Sequence, residues 1–125
     1  MQTESLKATE AECAEGRTAP RVSLADLEAN IAYKTTFRAS EAVQALGDFG
    51  WLEGISDSNE MPASLGVLTI CLLVTRNGFT IIGKSAPASA DNFDAELGRK
   101  LAYEDAVRQL WPLMGYALRE KLAGE

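Results

Sequence analysis

Four cationic side chains, Arg38, Arg99, Lys100 and Arg108, are the residues of this chain best suited to ligand chemistry. An arginine fork grips a phosphate through paired hydrogen bonds or stacks on a base, and a lysine adds a compact positive charge. Each cation also has a plainer use. Glu104 precedes Arg108 by four residues and Glu96 precedes Arg99 by three, spacings at which ion pairs form along a helix surface. Arg38 follows Phe37 outside any helical pattern, where such routine uses are fewer. Asn92, beside Phe93, suits a helix cap as well as a base contact. Phe49 and Trp51 either fold a loop back onto the core or offer a stacking surface. Gly83-Lys84-Ser85 resembles the end of a phosphate-binding loop, but the earlier glycine is missing and the tripeptide follows a hairpin instead of opening a helix.

Other chemistry is excluded by residue type. The chain has no histidine, which removes Ser-His-Asp, Cys-His and HExxH arrangements. No remaining nucleophile has a visible activator, so the sequence reads as a binding protein without a catalytic, metal or cofactor site. Cys13 and Cys71 sit in unlike settings without CxxC spacing, which argues against a disulfide or zinc site. Asp91, Asp94, Glu96 and Glu104 make no metal cage, because acidic first turns commonly serve the helix dipole. Asp91, Asp94 and Glu96, crowded at the start of that helix, also fill the place where a phosphate would dock.

A net charge of −6 argues against polymeric nucleic acid as a partner, since coating a polyanion needs clustered Lys and Arg. The first residues, MQTESLKATE, lack the basic start and apolar run of a secretory signal. The longest apolar run, Leu65 to Val74, is about half of the roughly 20 residues that a membrane helix needs. These features predict a soluble, cytoplasmic protein that has no membrane partner.

The elements that must position the candidates centre on LGVLTICLLVTRNGFTIIGKS, Leu65 to Ser85. Two apolar, β-branched runs flank Asn77-Gly78, the strongest short signal for a two-residue hairpin turn. That turn would set Arg76 opposite Phe79, Thr75 opposite Thr80, Val74 opposite Ile81 and Leu73 opposite Ile82. Leu68, Ile70, Leu72, Val74, Phe79 and Ile81 then share one face, and Val67, Thr69, Cys71, Leu73 and Ile82 the other. Neither face suits water, so one is expected under C-terminal helices and the other under the N-terminal half or a second copy, giving a homo-oligomer.

Around the hairpin, residues 1–20 read as a disordered acidic tail and 21–125 as a single α+β domain. Ser23 and Asp26 have capping-box spacing, and Leu24, Leu27 and Ile31 recur at three and four, predicting a helix from Leu24 to Ala32. Tyr33 to Arg38 is rich in strand formers; SEAVQAL suits a helical turn or two, before a long loop reaching Met61. A helix is predicted to begin near Ser89, Asp91 or Asn92. Pro112 should divide it, leaving two C-terminal helices or one kinked helix on the sheet.

Several short motifs recur together between Thr69 and Tyr116: Thr69-x-Cys71, NGF at Asn77 to Phe79, Gly83-x-Ser85, NFD at Asn92 to Asp94, Gly98-Arg99, Trp111-Pro112 and Gly115-Tyr116. In that order they resemble a family of small proteins of tailed phages and prophages, long of unknown function. A hairpin followed by paired helices is also similar to the first family of Thoeris anti-defence proteins. Members of that family sequester cyclic ADP-ribose signals made by bacterial TIR-domain enzymes, and some assemble from dimers into hexamers that also take up cyclic trinucleotides. The resemblance implies a non-enzymatic sponge for a small cyclic nucleotide, acting as a homo-oligomer in the cytoplasm of the host bacterium. It implies binding through arginine, phenylalanine and asparagine, for which the nearest residues here are Arg38, Phe79, Asn92 and Arg108, with Arg99 as a further candidate. Pro87 stands where the phage pattern has a cysteine. The alternative function is a small adaptor that grips a host protein through an exposed hairpin or helix surface or the acidic tail.

Overall fold

The computed structural model describes residues 3–48 and 60–125. Helix α1 (Glu4–Ala14) is followed by α2 (Leu24–Ala29), strand β1 (Ile31–Arg38) and α3 (Ala39–Asp48). A 3₁₀ turn (Ala63–Gly66) leads into β2 (Thr69–Thr75) and β3 (Thr80–Ser85), and a second (Ala90–Asn92) leads into the long helix α4 (Ala95–Ala123). The strands form one antiparallel sheet in the order β1-β2-β3, so the fold class is α+β. Phe49 and Trp51 lie outside the described residues.

The short helix and first strand follow their local chemistry. Ser23 Oγ accepts from the Asp26 N–H (3.1 Å) and Asp26 Oδ2 from the Ser23 N–H (2.9 Å), a reciprocal cap that starts α2. Leu24 and Leu27 are buried. The helix ends at Ala29, earlier than its apolar spacing predicts, because Ile31 already enters β1. Asn30 holds the junction, its carbonyl accepting from the Arg76 N–H at 3.0 Å.

The hairpin corrects the predicted register. Gly78 has a φ of 87° but Asn77 does not share a positive φ, so the turn is not the type that needs two such residues. Its loop has three residues, Arg76 to Gly78, closed by Gly78 N–H to Thr75 carbonyl and Thr75 N–H to Phe79 carbonyl bonds, each 2.9 Å. Pairing therefore slips by one residue, which sends each β3 side chain to the other face. Leu73 faces Ile81 and Val74 faces Thr80. Ile81 is thus buried, while Ile82 is 61% exposed on the outer face.

Helix α4 covers the inner face at very close range. An added Cβ on Gly83 would lie 2.2 Å from the Ala102 carbonyl oxygen and 2.6 Å from the Ala106 nitrogen. One on Gly98 would lie 2.7 Å from Thr69 Oγ1. At the sheet margin, α4 side chains pair the outer backbone groups of β3: Asp105 Oδ2 accepts from the Lys84 N–H (2.9 Å) and Gln109 Nε2 donates to the Ile82 carbonyl (2.8 Å). Such pairing occupies part of an otherwise open strand edge.

One further expectation needs correction. The segment read as a disordered tail contains α1, whose Leu6 is fully buried with Leu24, Leu73 and Val107. Its other residues are mostly polar, and one apolar anchor produces no periodic signal. The N-terminal helices therefore join the α4 side of the sheet and do not cover its outer face. Of the two alternatives for the C-terminus the structure has the single helix: α4 runs through Pro112, capped by Asp94 Oδ1 accepting from the Leu97 N–H at 3.1 Å. Pro112 and Arg108 are exposed, so water can take the carbonyl bond that proline leaves unmade, while Trp111 anchors the same turn by donating from Nε1 to the Val22 carbonyl at 3.2 Å.

Gly83→Ala should lose about 3 kcal/mol in denaturant unfolding, because backbone atoms of α4 would have to move. Gly47→Ala in α3, with open space around it, should be neutral or stabilising by up to about 1 kcal/mol. Leu6→Ala should cost about 2 to 5 kcal/mol, whereas a disordered tail would give no loss.

Candidate functional site

At the end of the sheet where Arg38 pairs with Thr69, three of the five candidate residues approach one another. Arg38 closes β1, and its guanidinium carbon lies 5.8 Å from the ring centroid of Phe93. That ring is half-buried beside the Gly98–Thr69 contact, its Cε1 3.7 Å from where a Cβ on Gly98 would stand. Asn92 is exposed immediately before it, at the end of a 3₁₀ turn capped by Ser89. Arg99 lies exposed on the first turns of α4, near enough to Glu41 for its charge to help lower that carboxyl's pKa.

Glu41 is the local counter-charge. Its Oε1 accepts from the Arg38 backbone N–H at 2.9 Å and from Arg38 Nε at 3.5 Å. The backbone bond leads the lowering of its pKa, with the Arg38 side chain and Arg99 adding to it. Because the carboxylate is exposed, this ion pair is weak and exchangeable.

Two recesses flank this end. A cleft of about 100 Å³ is lined by Ser85, Pro87, Asn92, Phe93 and Leu101, and a groove of about 670 Å³ by Thr3, Glu4, Glu96, Arg99 and Lys100. Asp94 and Leu97 border both. The Asp94 carboxylate already takes the Leu97 N–H, so the first turn of α4 is filled by the protein's own anion. A ligand phosphate here would have to meet side-chain cations instead.

Phe79 and Arg108 lie elsewhere. Phe79 is 54% exposed at the hairpin loop, six residues along the ladder from the Arg38–Thr69 end, or about 20 Å. Arg108 is nine residues beyond Arg99, about 13 Å along α4. It donates from Nη2 to Ser5 Oγ at 2.6 Å and does not pair with Glu104. Glu104 is buried and accepts from Thr3 Oγ1. Arg99 and Glu96 likewise form no ion pair among the described residues. Phe93 is the aromatic residue that sequence reasoning passed over. Its contact with Arg38 joins segments far apart in the chain, and no local spacing could reveal it.

A second group of ionisable residues lies under the sheet. Lys34 Nζ sits 4.8 Å from the centroid of the buried Tyr103 ring, and burial pushes the Cys71 thiol up, keeping it protonated. Burial first, then the charge of Glu28 and, once it ionises at high pH, that of the Cys71 thiolate, push Tyr103 up to about 12. A raised folded-state pKa favours the native state fully below the ordinary tyrosine value near 10, and that gain disappears as pH climbs through about 12. Tyrosine absorbance should therefore show one late phenolate near pH 12, accompanied by a stability loss on the order of 2 kcal/mol. Tyr103→Phe should abolish that step; a variant that retained it would refute the assignment.

Among the described residues, no three His, Cys, Asp or Glu side chains converge on a metal position, and no helix is long and apolar enough to cross a membrane. No curated protein and no solved structure matches the chain. Residues 22–122, from the approach to α2 almost to the end of α4, match the family model described as Phage protein (N4 Gp49/phage Sf6 gene 66) family, and the chain belongs to that family.

Proposed function

We propose that this phage-family protein is a non-enzymatic anti-defence protein that binds and sequesters a small cyclic nucleotide signal of the cyclic ADP-ribose type in the host cytoplasm. The observation that carries the proposal is the Arg38 guanidinium over the Phe93 ring, with Asn92 next to that ring in the chain and Arg99 close enough to act on Glu41, the counter-charge of Arg38. A cyclic dinucleotide-like ligand needs charge-assisted contacts to its diphosphate, a ring or guanidinium for base stacking, and an amide to read an edge. Those groups meet at this end of the fold. Ligand phosphate would displace the exposed Glu41 carboxylate from Arg38. Sequestration needs no nucleophile, in keeping with a chain that lacks histidine. Phe79 and Arg108 would share the ligand only from a second copy, as in a homo-oligomer.

A second reading, an adaptor for a host protein, draws on the outer sheet face and hairpin loop, where Tyr33, Phe79 and Ile82 are each more than half exposed. Ligand binding separates the two. Cyclic ADP-ribose isomers and cyclic oligonucleotides are screened by thermal shift, and the strongest is titrated by calorimetry. A bound nucleotide should raise the melting temperature and be recovered chemically unchanged after denaturation. Arg38→Ala and Arg99→Ala should each weaken binding by about 1.5 to 3 kcal/mol with little change in ligand-free melting temperature. Glu41→Gln should tighten it by up to about 1 kcal/mol. If no cyclic nucleotide shifts the melting temperature, or both arginine variants bind like the parent, the sponge reading fails.

A further inference from the structure

The two edges of the sheet are finished differently. Along β3 the outward backbone groups of Ile82 and Lys84 are taken by Gln109 and Asp105 of α4. β1 forms the opposite edge, away from the close approaches of α4 to Gly83 and Thr69. The Ala39 N–H still points along the ladder, to the Leu68 carbonyl at 2.9 Å, whereas the Arg38 N–H turns away from β2 to Glu41 Oε1, also at 2.9 Å. Strand alternation then directs the backbone groups of Phe37, Thr35 and Tyr33 towards β2 and those of Thr36 and Lys34 outward. Among the described residues nothing bonds these outward groups. A row of unmade N–H and C=O bonds is a template for another strand.

The open stretch has defined ends. A bulge between Ile31 and Tyr33 interrupts it on one side, and Glu41 closes it at Arg38 on the other. The regular edge from Tyr33 to Phe37 is centred on Thr35. Its outer-face side chains are Tyr33, Thr35 and Phe37, opposite Val74, Leu72 and Ile70 of β2. Its charge, Lys34, turns under its own sheet, with Nζ 4.8 Å from the Tyr103 ring centroid.

We propose that this edge pairs with the same edge of a second copy, antiparallel about a two-fold axis at Thr35, so that the two sheets become one. The register follows from charge and pairing. With Thr35 facing Thr35 of the second copy, Lys34 and Thr36 exchange backbone bonds across the axis. Tyr33 then faces Phe37 of the second copy on the outer side, twice over by symmetry. These are non-hydrogen-bonded pairs, in which side chains approach most closely and aromatic contacts add stability. A slip of one residue along each strand fails. Centring on Lys34 sets it against Lys34 of the second copy, and centring on Thr36 sets Lys34 against Arg38; both oppose like charges directly. The chain thus offers itself a partner strand that matches in backbone, charge and aromatic pairing. The contact is a sheet edge, not the apolar sheet face that the hairpin pattern suggested, and it does not rest on the nucleotide reading.

The test uses the full chain without nucleotide. Sedimentation over a concentration series should show a monomer–dimer equilibrium. Thr36→Pro removes an outward N–H at a place where an edge strand of a monomer tolerates proline. It should weaken dimerisation roughly tenfold or more while the far-ultraviolet circular dichroism stays that of the parent. Register is read by cross-linking, with Cys13→Ser as background because Cys13 is exposed and Cys71 buried. Thr35→Cys should form a disulfide-linked dimer under mild oxidation, since facing residues of such a pair have Cα atoms about 4.5 Å apart, within disulfide reach. Thr80→Cys, exposed on β3, should not. A protein that stays monomeric throughout the series, a dimer that folded Thr36→Pro leaves intact, or Thr35→Cys that cross-links no faster than Thr80→Cys would overturn the proposal.

Discussion

The fold depends on how near α4 lies to the sheet. At Gly83 there is no room for even one carbon between β3 and the backbone of Ala102 and Ala106, and at Gly98 the helix rests on the side chain of Thr69. Two glycines and two alanines thus bring the helix axis down onto the strands, and the larger residues between them, Tyr103, Val107 and Leu110, fill the flanks. Close packing of this kind tolerates little change in volume. It also fixes function-related geometry, since the position of α4 decides where Arg99 stands relative to the end of β1. The same approach lets Asp105 and Gln109 reach the backbone of β3, tying helix and strand together by hydrogen bonds as well as by packing.

α1 depends in turn on that helix. Thr3 Oγ1 donates to the buried Glu104 carboxylate, Ser5 accepts from Arg108, and Leu6 enters the core. A carboxylate buried without a donor would be costly, so the Thr3 contact and the burial of Leu6 support each other. This arrangement gives Arg108 a structural task in α1 docking. The proposed ligand contacts are assigned instead to Arg38 and Arg99, whose guanidinium groups have only a weak exposed ion pair or none among the described residues.

Much of the architecture was legible in the sequence because it rests on local rules. The Ser23–Asp26 cap, the strand-forming run of β1, the hairpin and a helical C-terminus each follow from spacing within a few residues. What was hidden rests on single atoms or distant partners. One positive φ at Gly78 instead of two shifted the whole hairpin register. Pro112 fell on an exposed side of α4, where a lost backbone bond is tolerable. Of the site, the cation types were visible, but not that Arg38 meets Phe93 or that Phe79 stands at the far end of the sheet.

The central claim is that ligand chemistry resides where β1 ends and α4 begins. The most direct measurement is a two-dimensional ¹H–¹⁵N titration of the labelled protein with cyclic ADP-ribose isomers, following backbone amides, arginine Nε–H groups and the asparagine side-chain amides. The account predicts saturable shifts at Arg38, Asn92, Phe93 and Arg99. Shifts centred on Phe79 or Arg108 without those residues, or no saturable shift with any isomer, would contradict it.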